Sequence, residues 1–85
     1  MESEANENIK IFPNPVSERL NILSNEKSFQ KIIIFDISGK KVIEKSFLTE
    51  TNQSEISTET LPSGQYFLRL EGDSRFQKTI LFQKN

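Results

Sequence analysis

Apolar residues recur along this chain in short runs with a period of two, separated by glycine, proline and polar clusters, and nowhere with a helical period. The first run, Ile9-Lys-Ile-Phe12, stops at Pro13-Asn-Pro15. A proline has no backbone N–H and pushes the residue before it out of the helical region, so this stretch reads as a stiff edge or crossover. Next, Arg19-Leu-Asn-Ile-Leu-Ser24 sets Leu20 and Ile22 in one phase and Asn21 in the other, a half-buried strand followed by a polar loop at Asn25-Glu-Lys-Ser28. Lys31-Ile-Ile-Ile-Phe35 is apolar in both phases, which predicts a central strand covered on both faces.

Asp36-Ile-Ser-Gly39 carries the residues of a type I turn closed by a left-handed glycine, and residues 40–47 form the return strand. Residues 48–53 read as a polar loop and 54–57 as a short strand anchored by Ile56. The connection 58–64 turns Leu61 inward. Residues 65–71 alternate cleanly, with Tyr66, Leu68 and Leu70 on one face, and Gly72-Asp73 suits a two-residue hairpin. The last strand, 75–82, holds Phe76, Ile80 and Phe82 in one phase and Gln77, Thr79 and Leu81 in the other. Short strands at roughly ten-residue spacing predict an all-β fold, a small seven-stranded antiparallel immunoglobulin-like β-sandwich, with a meander barrel as the alternative. Leu23, Ile33, Phe67 and Leu81 fall in the outward phase, so some of them are expected at the surface, where an apolar cluster marks a binding face.

Composition then removes most chemistry. The chain has 85 residues, enough for one domain, and is 34% hydrophobic, enough for a small core. With neither Cys nor His it has no thiolate or imidazole ligand, no disulfide and no Ser-His or Cys-His pair. Its acids stand singly, so no carboxylate dyad forms, and Glu71-Gly-Asp73 is too sparse for a calcium loop. No enzyme activity and no cofactor are expected. The net charge is −1 with Lys and Arg scattered, which disfavours nucleic acid. No apolar run approaches the ~18 residues of a membrane helix, so direct membrane insertion is not expected. Asn52-Gln-Ser54 matches the short glycosylation triplet, a pattern frequent by chance. Tyr66, the single tyrosine, reads as a core ring whose hydroxyl reaches loop backbone, in the manner of a tyrosine corner.

One family matches the order of these signals. Ile11-Phe-Pro-Asn-Pro15, Leu20-Asn-Ile22, Ile32-Ile-Ile-Phe-Asp-Ile-Ser-Gly-Lys-Lys-Val42, Leu61-Pro-Ser-Gly-Gln-Tyr-Phe-Leu68 and Phe76-Gln-Lys-Thr-Ile80 together resemble the type A C-terminal sorting domain of type IX (Por) secretion cargo in Bacteroidetes-type bacteria. The resemblance covers about residues 9 to 82; Phe12 stands where that family usually has Tyr, and Phe76 where it often has Leu or Ile.

The resemblance implies a secretion signal that directs a parent protein across the outer membrane and is cut off at the cell surface. It implies transit through the periplasm to the cell surface or exterior. The partners it implies are the outer-membrane translocon and shuttle proteins of the type IX system and a sortase-like cysteine peptidase. Residues 1–8, with Glu2, Glu4 and Glu7, are expected to be a flexible acidic linker or an expression remnant, and residues 9–85 the sorting domain. Recognition is expected at Lys78, Gln83 and Lys84, with Pro13, Asn14, Pro15, Gly39, Leu61, Pro62, Gly64 and Tyr66 as motif positions that mostly shape turns. An immunoglobulin-like adhesion or spacer module retained on its parent is the alternative function. A carbohydrate-binding sandwich is disfavoured because the chain has no Trp to stack on a sugar.

Overall fold

A computed structural model describes residues 9–25, 27–72 and 76–85. Seven strands follow one another: β1 (Ile9–Phe12), β2 (Arg19–Ser24), β3 (Phe29–Asp36), β4 (Lys41–Thr51), β5 (Gln53–Ser57), β6 (Gly64–Glu71) and β7 (Gln77–Lys84). They form two antiparallel sheets, ordered β1-β2-β5 and β4-β3-β6-β7. This is the β-sandwich that the alternating pattern predicts.

The inward phase of each strand makes the core. Leu20 and Ile22 of β2 and Ile56 of β5 face Ile32 and Ile34 of β3, Leu68 and Leu70 of β6 and Phe82 of β7, all buried in one cluster with Tyr66 and Leu61. Burying an aliphatic or aromatic side chain contributes about 1.5–3 kcal/mol, so a core of this size supports the fold of a chain that has no Cys to cross-link.

Two local expectations are corrected. β4 runs through residues 48–51, where a polar loop was expected. Its register sets Lys31 opposite Ser46 and Phe29 opposite Thr51, so residues 47–50 bulge past Gln30 alone and leave Leu48 fully exposed. The same bulge seats Phe47 edge-to-face on Phe29, with ring centroids 6.0 Å apart. The hairpin between β6 and β7 is longer than two residues, because Glu71 pairs with Gln77 and the Gly72 N–H donates to the Phe76 carbonyl. Asp73, the second residue of the expected turn, lies outside the described residues, as does Arg75.

Ile33, in the outward phase, is only 4% exposed. Glu44 and Arg69 stand directly opposite it on the neighbouring strands, and long charged side chains lay their apolar stems over such a position. Lys31 and Lys41 both pair with Glu44, and Arg69 pairs with Glu71, which holds this polar roof in place.

Candidate recognition surface

The β3–β4 turn forms as its residues predict. Asp36 N–H donates to the Lys40 carbonyl at 2.9 Å, Gly39 N–H donates to the Asp36 carbonyl at 3.0 Å, and Gly39 takes φ +92°. The Asp36 carboxylate accepts from the Ser38 hydroxyl, the Lys40 N–H and the Ser38 N–H. Those donors, the Ser38 hydroxyl first, hold the Asp36 carboxyl below its ordinary pKa.

Pro13, Asn14 and Pro15 open the connection between β1 and β2, neighbouring strands of the three-stranded sheet, and lead it past the edge of the other sheet. The peptide bonds before both prolines are cis. Beyond them Val16 forms a parallel bridge with Lys84, its N–H donating to the Gln83 carbonyl and its carbonyl accepting from Asn85 N–H. Asn14 Oδ1 accepts from Gln83 N–H at 3.0 Å. The stretch read as a stiff edge or crossover is thus a connection within one sheet that ties the start of the domain to its last strand through a single bridge.

The connection from β5 to β6 closes on the same place. Tyr66 Oη donates to the Pro62 carbonyl at 2.7 Å, as expected of a tyrosine corner, and its ring stacks on Phe82 at 5.8 Å between centroids. Lys84 Nζ donates to the Leu61 carbonyl at 2.8 Å. Gly64 sits at φ +147°, a conformation L side chains rarely adopt, where the connection enters β6.

Pro13, Asn14, Pro15, Gly39, Leu61, Pro62, Gly64, Tyr66, Gln83 and Lys84 therefore meet at one end of the sandwich, the end where β3 finishes and β6 begins. Their spacing in the sequence hides this, because the parallel Val16 to Lys84 bridge and the Lys84 bond to Leu61 are what join the segments. Gln83 is exposed at this end, whereas Lys84 is 7% exposed with its ammonium turned inward. Lys78 lies apart from the others, opposite Leu70 and half-buried.

A second feature is an apolar row on the outer face of the four-stranded sheet. Leu81 pairs with Phe67 and Phe67 with Phe35. Phe67 and Leu81 are 37% and 49% exposed, and the Arg69 guanidinium lies 5.0 Å from the Phe35 ring centroid. The outward strand phase flagged Phe67 and Leu81; Phe35 went unmarked because its strand is apolar in both phases. Leu23, flagged likewise, is half-buried on the other sheet. Among the described residues no cluster of carboxylates suits a metal ion, and no helix is long and apolar enough to cross a membrane.

A family model described as the secretion system C-terminal sorting domain matches residues 10–83. Comparison with curated proteins gives no significant match. Domains of the matched family interact with the type IX secretion machinery and carry their cargo to the cell surface or the extracellular space, and the family is not known to be catalytic. Matched over almost its whole length, and folded as a sandwich whose motif segments converge on one end, the chain belongs to the secretion system C-terminal sorting domain family, the C-terminal sorting signal of type IX secretion.

Proposed function

We propose that this domain acts as a rigid address, read by shape at the end where its motif segments converge, and catalyses no reaction of its own. The outer-membrane translocon and shuttle proteins of the type IX system would read it during transit through the periplasm. The observation that carries this reading is the joining of three distant segments, 13–16, 61–66 and 82–85, by bonds from Asn14, Val16 and Lys84. A surface assembled this way exists only in the folded state, so recognition would double as a check on folding.

Within that surface Pro13, Asn14, Pro15 and Gln83 are exposed and would be the contact residues. Leu61, Tyr66 and Lys84 are buried and would hold the shape, with Gly39, Pro62 and Gly64 setting the turns. Lys78, at a distance, would belong to a separate contact. Residues 9–85 would be the folded unit, and the cut that frees the cargo would fall in the acidic residues 1–8, made by a sortase-like cysteine peptidase at the surface.

Fusing residues 1–85 to a periplasmic reporter in a bacterium that has this machinery tests the reading. The reporter should appear outside the cell. Retention in the periplasm, with the domain folded, would sink it.

A further inference from the structure

β7 is an edge strand of the four-stranded sheet, and only part of that edge is covered. At Gln83 the backbone N–H and carbonyl point away from β6 and bond to Asn14 and Val16. Backbone groups along a paired antiparallel strand alternate in direction, and the β6–β7 register is unbroken from Gly64 opposite Lys84 to Glu71 opposite Gln77. The N–H and carbonyl groups of Leu81, Thr79 and Gln77 therefore point to the same open side as those of Gln83. Among the described residues none of them has a strand beyond it. The outward side of Gln77, Thr79 and Leu81 runs for about 17 Å, at roughly 3.3 Å per residue.

The apolar row Phe35, Phe67, Leu81 runs out onto that edge. Arg69 covers its Phe35 end, and Leu81 at the other end is half-exposed. Beside Leu81 a surface hollow of about 260 Å³ is lined by Asn14, Pro15, Gln65, Leu81, Phe82 and Gln83. The outer face of β7 itself carries Gln77, Thr79, Leu81 and Gln83, with no charge. Unpaired backbone, an apolar anchor and a neutral face together fit an added strand.

A second copy of the chain does not fit. A twofold antiparallel pairing that uses Gln77, Thr79 and Leu81 must centre on Thr79, which sets Gln77 opposite Leu81 and separates the two apolar rows. Centring it on Ile80 or Leu81 would drive Gln77 or Thr79 against Gln83, whose edge Asn14 and Val16 already occupy.

We infer that the open edge of β7, from Gln77 to Leu81, is the docking edge on which a protein of the export machinery adds an extended, uncharged strand, seating an apolar side chain on Leu81 and Phe67. The inference rests on the proposed sorting role and gives it a contact.

The test uses the reporter fusion of residues 1–85 in exporting cells, unsubstituted and as Leu81→Lys and Thr79→Pro. Leu81→Lys puts a charge in the apolar seat. Thr79→Pro deletes an outward donor at an edge position, where proline is tolerated. Each variant is checked for a cooperative melt and should lower export at least tenfold. If the unsubstituted fusion is exported and both folded variants are exported equally well, the docking edge is wrong and the sorting role stands. If the unsubstituted fusion is retained, both fall. A benzophenone amino acid at position 77, with Thr79 and Leu81 intact, decides the matter even for a variant that fails to fold. A cross-link mapping to a strand of another export protein supports the inference. A cross-link to a second copy or to residues 1–8, or no cross-link at all, overturns it.

Discussion

The Lys84 ammonium donates to the Leu61 carbonyl at 2.8 Å inside the sandwich, so the penultimate residue of the chain holds the connection between β5 and β6. A buried ammonium is costly unless its donors are used, and a bond to a charged group contributes about 1.5–3 kcal/mol. Lys84→Ala removes the donor and leaves the Leu61 carbonyl buried without it. The expected loss is about 1–3 kcal/mol in urea unfolding. A change within a few tenths of a kcal/mol would show that Lys84 is not part of the scaffold.

Gly64 makes a different demand. A Cβ there meets nothing within 4 Å, so any cost of substitution is conformational and comes from φ +147°. Gly64→Val should cost more than ~1 kcal/mol by backbone strain. An unchanged melting temperature would show that the entry to β6 tolerates an ordinary residue.

At Gly72 the reason is space. A Cβ would collide with the Ser28 carbonyl oxygen and lie 2.9 Å from Phe76 Cδ2. Backbone on one side cannot retreat as a side chain can, so Gly72→Ala should cost about 2 kcal/mol or more. The same substitution would be nearly free in an open hairpin, which makes the thermal melt of this variant a direct check on the close approach.

Period-two alternation made the core legible, since Leu20, Ile22, Leu68 and Leu70 each sit in a phase that a half-buried sheet requires. It failed where a strand is exposed on both faces: residues 48–51 are polar apart from Leu48, and only the bulge opposite Gln30 makes them β4. Phe29, fully buried, escapes the pattern for another reason: Gln30 and Lys31 separate it from the apolar run of β3, and its partner Phe47 lies across that bulge. The converging end could not be read at all from spacing. A lysine one residue from the end of the chain reads as solvated, and its burial follows from a bond to a residue 23 positions away.

Acid should loosen the domain through the β3–β4 turn. Donors at Ser38 and Lys40 hold the Asp36 carboxyl below its ordinary value of 3.8, and Lys41 and Lys31 hold Glu44 below 4.5. A carboxylate whose folded pKa is depressed contributes its stability in full above the unfolded value, and loses it as pH falls through the folded one. The melting temperature should therefore hold from pH 7 to about 5 and drop below about 4. Asp36→Asn should lower it at pH 7, and the gap to the unsubstituted protein should narrow as pH falls below 3.8. A gap that stays constant across that range would mean the carboxylate's charge plays no part in the turn.

Ile33 and Phe67 occupy the same outer face of the four-stranded sheet, yet they should answer a lysine differently. Ile33 is 4% exposed beneath Glu44 and Arg69, whereas Phe67 is 37% exposed beside Leu81. A lysine at position 33 must either bury its ammonium or break the ion pairs that Glu44 and Arg69 make with Lys31, Lys41 and Glu71. Ile33→Lys should cost about 2–4 kcal/mol, most of it from the lost burial and a stranded charge. Phe67→Lys loses less apolar contact and keeps its charge in water, so its cost should stay within about 1 kcal/mol. Urea unfolding of the two variants side by side checks this, and equal losses would show that the charged roof over Ile33 gives no more protection than open solvent.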